Sequence, residues 1–334
     1  MEIKKVLLKD FTSLRIGGNA DMVVVTNEDE LVDVVTYAKS KYNHLYVLGE
    51  GTNTVFANNL ENFLILKIDI KNISVKEIEN DVFIMAGAGE LWDDVVKFSV
   101  EKNLWGLENL SHVPGTVGAA PVQNIGAYGA ELKDVLVSLR AYDTKQNVFV
   151  ELLNNECKFG YRDSLFKKEK YRYIITSITV KLYNKARPVL TYKPLDVLSN
   201  KENLKPDDIR KLVIQTRAEK LPDYKLYPNA GSFFKNPIVD KEKFRVIKSK
   251  YPEVPIIEVD NKFKIPAAWL IEYVADMKGV RVGDIGTWPN QPLVIVNYGK
   301  ETTLDDLNLF TNEIKKRVYE NIGINLEQEI NAIY

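Results

Sequence analysis

The sequence predicts an α+β protein assembled from three parts, and three observations carry that prediction. Glycine crowds into the first 130 residues, which hold 11 of the 18, in the pairs Gly17/Gly18, Gly49/Gly51, Gly87/Gly89, Gly115/Gly118 and Gly126/Gly129. Short apolar runs and amphipathic stretches alternate between those pairs, which is the layout of a ligand-binding region with glycine loops. A β-rich segment follows to about Tyr183, and beyond Leu221-Pro222-Asp223 strands and helices alternate again.

The elements can be justified in order. Met22–Thr26, Leu45–Leu48, Phe63–Leu66 and Val82–Ala86 read as strands. Asp29–Tyr42 reads as a helix with Leu31, Val34, Val35 and Ala38 on one face and Asn27 with Glu30 as its capping box. A second helix lies near Leu91–Lys102. Alternation marks strands at Val135–Tyr142 and Tyr173–Tyr183. Asn184–Lys205, polar and broken by Pro188 and Pro194, reads as a surface connection. Pro206–Ala218 starts with proline and two acids and turns Ile209, Leu212 and Val213 inward, as a helix does. The remainder reads as a strand at Ser232–Phe234, helices around Asp240–Lys250 and Ala267–Tyr273, a strand at Leu293–Asn297, a long helix Leu304–Asn321 and a final strand from Ile324. A domain boundary is expected at Leu221-Pro222-Asp223, which ends the helix begun at Pro206.

At 334 residues and 38.1 kDa the chain exceeds one ordinary core. Apolar residues at 45% and charged residues at 27% belong to a globular protein and exclude a disordered one. Forty-five basic against forty-six acidic side chains leave a net charge of −1, which excludes gripping nucleic acid or an anionic membrane by bulk charge. Cys157, the single cysteine, forbids an intrachain disulfide and a multi-cysteine metal cluster. The two histidines, His44 and His112, stand far apart, so no metal is expected. Apolar runs are all too short for a signal peptide or a membrane span. The expectation is a cytoplasmic monomer with a small-molecule substrate.

The common nucleotide fingerprints are missing: Gly49-Glu50-Gly51 and Gly87-Ala88-Gly89 each lack a third glycine, and no phosphate-loop lysine motif occurs. Two longer segments remain. One is Leu48-Gly49-Glu50-Gly51-Thr52-Asn53 after a strand. The other is Pro114-Gly115-Thr116-Val117-Gly118-Ala119-Ala120-Pro121-Val122-Gln123-Asn124-Ile125-Gly126-Ala127-Tyr128-Gly129. Both put small residues where backbone N–H groups can cradle a pyrophosphate, whereas Gly87/Gly89 reads as a plain turn.

The second of these segments, together with Phe159-Gly160-Tyr161-Arg162-Asp163-Ser164 and Asn229-Ala230-Gly231-Ser232-Phe233-Phe234-Lys235-Asn236-Pro237, resembles the UDP-N-acetylenolpyruvoylglucosamine reductase family, also called UDP-N-acetylmuramate dehydrogenases. Ser13-Leu14-Arg15-Ile16-Gly17-Gly18, Ile265–Glu272 and Leu326-Glu327-Gln328-Glu329 agree in order and spacing. Gln328 stands where the family has proline, and His112 where it has a small residue. The resemblance implies a two-part FAD-binding domain of the flavin oxidase (PCMH) type, residues 1–68 and 69–219, and a C-terminal α/β domain, 220–323, for the UDP-sugar. It further implies non-covalent FAD held at Gly49, Glu50, Gly51, Thr52, Asn53, Pro114, Gly115, Thr116, Gly118, Ala119, Gln123, Asn124, Gly126 and Ala127, with NADPH as hydride donor. By the same resemblance Ser232 is the proton donor, and Arg162 and Glu329 stabilise an enolate. Tyr128, Tyr192, Lys220, Asn236 and Gln291 match positions that hold UDP-N-acetylglucosamine enolpyruvate or close over it. Tyr192 belongs to a loop characteristic of one family branch. From the residues alone, Arg162 is a natural clamp for a carboxylate or a surface partner of Asp163. Ser232 alone would pass for a turn serine. Two other classes stay open: a flavin oxidase of the same fold and a catalytically silent UDP-sugar-binding protein.

Overall fold

The protein was analysed as a computed structural model, which describes residues 1–79 and 81–334. The chain forms two compact units. The first comprises residues 1–6, 20–50 and 61–219; the second comprises 7–19, 51–60 and 220–334.

In the first unit the strands Ile3–Leu7, Asn19–Val25, Asn59–Ile68 and His44–Leu48 lie side by side in that order, the last two parallel. The helix Glu28–Lys41 buries Leu31, Val34, Val35 and Ala38 against Val23, Val25, Leu64 and Leu66. It begins where expected: the Asn27 side chain accepts from Glu30 N at 2.9 Å, acids fill the first turn, and Lys39 and Lys41 close the last. Glu30 turns its own carboxylate back to the N–H of Thr26, one residue before the cap.

A five-stranded antiparallel sheet follows, in the order Val148–Leu153, Leu136–Asp143, Tyr173–Tyr183, Asp81–Gly87, Ile73–Ile78. Its inner face, with the helix Trp92–Glu101, supplies Val82, Ile84, Trp92, Val96, Leu139 and Ile178 to one core. A smaller cluster joins Trp105 and Leu195 to Ile209 and Val213 on the helix Pro206–Lys220. That cluster anchors the connection 184–205, which is otherwise irregular apart from one short turn, Lys193–Leu198.

The second unit has its own core, from Leu14, Ile16 and Val55 through Phe233 and Phe234 to Ile314 and Val318. Four antiparallel strands run in the order Asn229–Ser232, Gln291–Asn297, Ile285–Trp288, Arg281–Val282. The helix Leu304–Ile322 opens with a capping box in which Thr303 and Asp306 satisfy each other's backbone N–H. Two expectations shift. The strand placed at 232–234 runs instead over Asn229–Ser232, with a register shift between Asn229 and Ser232 where Gly231 takes φ +69. The final strand begins only at Asn331, where Asn331–Ile333 pairs in parallel with Thr54–Phe56; residues 324–330 are irregular, with an isolated bridge between Phe234 and Gln328.

Candidate active site

The first unit brings Gly49 and Glu50 against the longer glycine segment. The Glu50 carboxylate accepts the N–H of Gly115 at 3.0 Å. A Cβ at Gly49 would stand 2.7 Å from Thr116 Oγ1 and 3.4 Å from Ala119 Cβ, so only glycine lets these backbones approach. Gly118 is packed the same way on Ala88, at 2.7 Å. The result is a wall of small side chains and backbone of the kind a dinucleotide diphosphate needs. Asn124 belongs to this wall by position, but its side chain serves the loop. It is fully buried, donates to Glu131 Oε2 at 2.9 Å and Gly160 O at 3.2 Å, and accepts from Lys133 N at 3.0 Å.

Arg162 reaches the same segment. It occupies a left-handed position (φ 52) in a tight turn closed by Gly160 and Asp163, each of which donates its N–H to the other's carbonyl, at 2.9 and 3.3 Å. From there its guanidinium lies over the Tyr161 ring and donates to the carbonyl of Gly126 at 2.8 Å. Asp163, meanwhile, forms an ion pair with Lys168 at 2.8 Å.

Tyr128 and Tyr192 meet edge-on, ring centroids 5.2 Å apart. Burial pushes the Tyr128 phenol up, the Arg217 charge opposes that shift and Tyr192 adds to it. The residue reading missed Arg217. Its Nε is buried and has no hydrogen-bond partner among the described residues, and burial lowers its pKa. A buried N–H without an acceptor is a costly arrangement that a ligand anion relieves. The available signal was its place on the helix Pro206–Lys220, three residues before Lys220.

The second unit holds Ser232, Lys220, Asn236, Gln291 and Glu329, along with Gly51, Thr52 and Asn53. Ser232 is positioned by a buried asparagine. Asn229 donates to Pro222 O and Tyr227 O and accepts the N–H of Gly231 at 2.9 Å, while Ser13 Oγ holds the Asn229 carbonyl at 2.7 Å. Ser232 is exposed, and a Cβ on neighbouring Gly231 would meet nothing within 4 Å, so this end of the strand faces open space. Glu329 donates its N–H to Phe233 O at 2.8 Å, and its own carbonyl accepts from Asn53 Nδ2 at 3.2 Å. Asn53 therefore braces residue 329. Glu327 is turned to solvent with its carboxylate 2.5 Å from Lys235 Nζ. Asn236 spends its carbonyl oxygen on the N–H of Ala267 at 2.8 Å. Gln291 Oε1 is buried and, among the described residues, accepts no hydrogen bond. Lys220 is exposed.

Residues 20–150, which carry both glycine segments, match the profile of an FAD binding domain. The protein is thus a flavin-binding oxidoreductase, and the small-residue wall fits that cofactor. Residues 222–333 match the C-terminal domain of UDP-N-acetylenolpyruvoylglucosamine reductase. The reductase of that name from Flavobacterium johnsoniae is 40% identical, covering 98% of each chain, and the one from Aliivibrio fischeri is 37% identical over 97% of this chain and 92% of its own. A crystal structure of UDP-N-acetylenolpyruvylglucosamine reductase from Thermus caldophilus matches with a TM-score of 0.70 at 26% identity, covering 100% of both chains. The chain belongs to the UDP-N-acetylenolpyruvoylglucosamine reductase family. No helix among the described residues is long and apolar enough to cross a membrane.

Proposed function

We propose that the chain reduces UDP-N-acetylglucosamine enolpyruvate to UDP-N-acetylmuramate, with NADPH as hydride donor, as a cytoplasmic step of peptidoglycan precursor synthesis. The observation that carries this reading is the placement of Ser232: an exposed hydroxyl on a strand end fixed by buried Asn229, with residue 329 tied to the adjoining Phe233.

FAD, when bound, would supply the hydride chemistry that links NADPH to the β-carbon of the enolpyruvyl group. Segments 49–53 and 114–127 would hold it, chiefly through backbone and small side chains. The protein's own task is to manage the charge that this transfer creates. Negative charge arises on the α-carbon and spreads into the carboxylate, and the Arg162 guanidinium, preorganised by its bond to Gly126 O, lowers its energy. Ser232 Oγ gives its proton to the α-carbon, and Glu329 assists. A hydroxyl is a weak acid, but a carbanion is a strong base, so position matters more than pKa. Lys220 and Arg217 suit the anionic diphosphate, Gln291 Oε1 offers an acceptor to a ligand N–H or O–H, and the Asn236 amide and the two tyrosines add donors and ring faces. We assign 1–68 with 324–334 and 69–219 to FAD, 220–323 to the nucleotide sugar, and take the enzyme to act as a monomer.

The test is an anaerobic absorbance titration. NADPH should bleach the yellow protein, and the enolpyruvyl sugar should restore the colour faster than air does. Colour that returns only with oxygen would make the protein an oxidase, and no bleaching with bound sugar would make it a silent binder.

A further inference from the structure

We infer that Asn109 is a positioning residue that seats Tyr192 against Tyr128 and so sets the affinity for the nucleotide sugar; the inference rests on the reading that these tyrosines contact that substrate. Asn109 is 1% exposed. Both hydrogens of its amide are used, one on the carbonyl of Tyr128 at 2.7 Å and the other on the carbonyl of Val189 at 2.9 Å. Those carbonyls lie on segments far apart in sequence. Each segment carries one of the tyrosines, Tyr128 itself and Tyr192 three residues beyond Val189. One side chain thus staples the tip of the second glycine segment to the start of the tyrosine connection.

The base of the staple is rigid. Asn109 sits in the short turn Glu108–Leu110, every residue of which is buried. The Glu108 carboxylate accepts Gly106 N at 2.6 Å, Ser111 Oγ donates to the Glu108 carbonyl at 2.6 Å, and Trp92 Nε1 donates to the Leu110 carbonyl at 3.1 Å. The seat is shaped to match. Gly129 takes φ +86, and a Cβ there would stand 3.2 Å from Thr191 Oγ1 and 3.4 Å from Val189 Cγ1. The connection therefore lies directly on the bare Cα of Gly129, and the ring of Tyr192 falls edge-on against Tyr128. A purely architectural asparagine would be expected to tie core to core. Here the two acceptors are the segments that differ most in function from the sheet beneath them.

The test combines Asn109→Ala, Tyr192→Ala and the double variant in the FAD-loaded enzyme. Asn109→Ala should raise the KM for the enolpyruvyl sugar on the order of tenfold, the worth of two hydrogen bonds. Hydrogen exchange should speed up in residues 186–198, while the rate of flavin reduction by NADPH stays within twofold. In the Tyr192→Ala background, Asn109→Ala should add nothing to KM, because it acts through that ring. Asn109→Ser, with one donor, should fall between, and is read in the same way if the alanine variant does not fold. Unchanged exchange and KM, additive effects in the double variant, or equal loss in both half-reactions would each overturn the inference. If Tyr192→Ala alone left KM unchanged, the substrate-contact reading of Tyr192 would fall instead, and the exchange data would still report on the staple.

Discussion

The backbone N–H of Glu329 donates to the carbonyl of Phe233 at 2.8 Å, which places two residues 96 apart in sequence in one hydrogen-bonded pair beside Ser232. The pairing is reinforced from both directions, by Asn53 Nδ2 on the carbonyl of Glu329 and by Lys235 N on the carbonyl of Glu327 at 2.9 Å. The backbone segments that carry Ser232 and Glu329 are thereby tied to each other.

Ser232→Ala should separate the two half-reactions. Reduction by NADPH generates no carbanion and should proceed near the wild-type rate, while re-oxidation by the enolpyruvyl sugar slows by roughly 10²–10⁴-fold, the usual cost of losing a general acid. Ser232→Cys should recover part of the loss. Stopped-flow absorbance resolves both phases; normal re-oxidation in Ser232→Ala would pass the role to Glu329.

Arg217→Met and Gln291→Met should trade affinity for stability. Each removes a buried polar atom that has no hydrogen-bond partner among the described residues, so the free protein loses no bond. Thermal unfolding should stay unchanged or shift upward by the equivalent of about 1 kcal/mol, while KM for the nucleotide sugar rises. A drop of several degrees in either variant would show that the side chain is structural.

Glu28 accepts both Nε and Nη2 of Arg140, at 2.7 and 2.9 Å. The Arg140 hydrogen bonds hold its carboxyl below the usual range, burial opposes them, and Thr176 helps. A depressed folded pKa gives stability that is present above the unfolded value and lost as pH falls through the folded one. Glu28→Gln should therefore cost about 1 kcal/mol near pH 7 for a partly exposed pair, and the difference should shrink toward pH 3. Urea titrations at both pH values measure it.

Cys157 is fully buried, its thiol directed to the carbonyl of Leu153 at 3.4 Å, and burial with the nearby Glu156 pushes its pKa up to about 12. The folded protein should leave thiol reagents untouched at pH 8 and react once only in denaturant. Because the folded state holds this proton more tightly, the thiol's contribution to stability declines as pH rises from about 9 toward 12.

Much of this was legible in the sequence. The helix Glu28–Lys41 announces itself by Asn27, by acids first and lysines last, and by one apolar face; Tyr173–Tyr183 announces itself by strict alternation. The strand Ile73–Ile78 does not, because it lies at a sheet edge, is largely exposed, and so has no apolar face to repeat. Ser232, Arg162 and Glu329 were reached through motif resemblance, since no pattern of residue types alone distinguishes a turn serine from a proton donor. Asn109 was out of reach altogether, since what marks it is a pair of distant carbonyls that leave no trace in local sequence. Arg217 offered only its place on the helix three residues before Lys220, since what marks it is a missing partner.

The composition of the two units bears on the order in which the protein is made. The first unit is complete in sequence once residue 219 has been synthesised, whereas the second takes residues 7–19 and 51–60 from the start of the chain and everything from 220 to 334. Its early segments must wait for partners not yet translated. At roughly 5–20 residues per second, residues 220–334 occupy the ribosome for about 6–23 s. Over that interval Thr54–Phe56, which ends beside Asn331–Ile333, has no strand to receive it. A nascent chain stalled near residue 320 would present a folded first unit and an unpaired, apolar Thr54–Phe56 edge. The codons for Asn331–Ile333, and not those for the early segments 7–19 and 51–60, decide when this edge is paired.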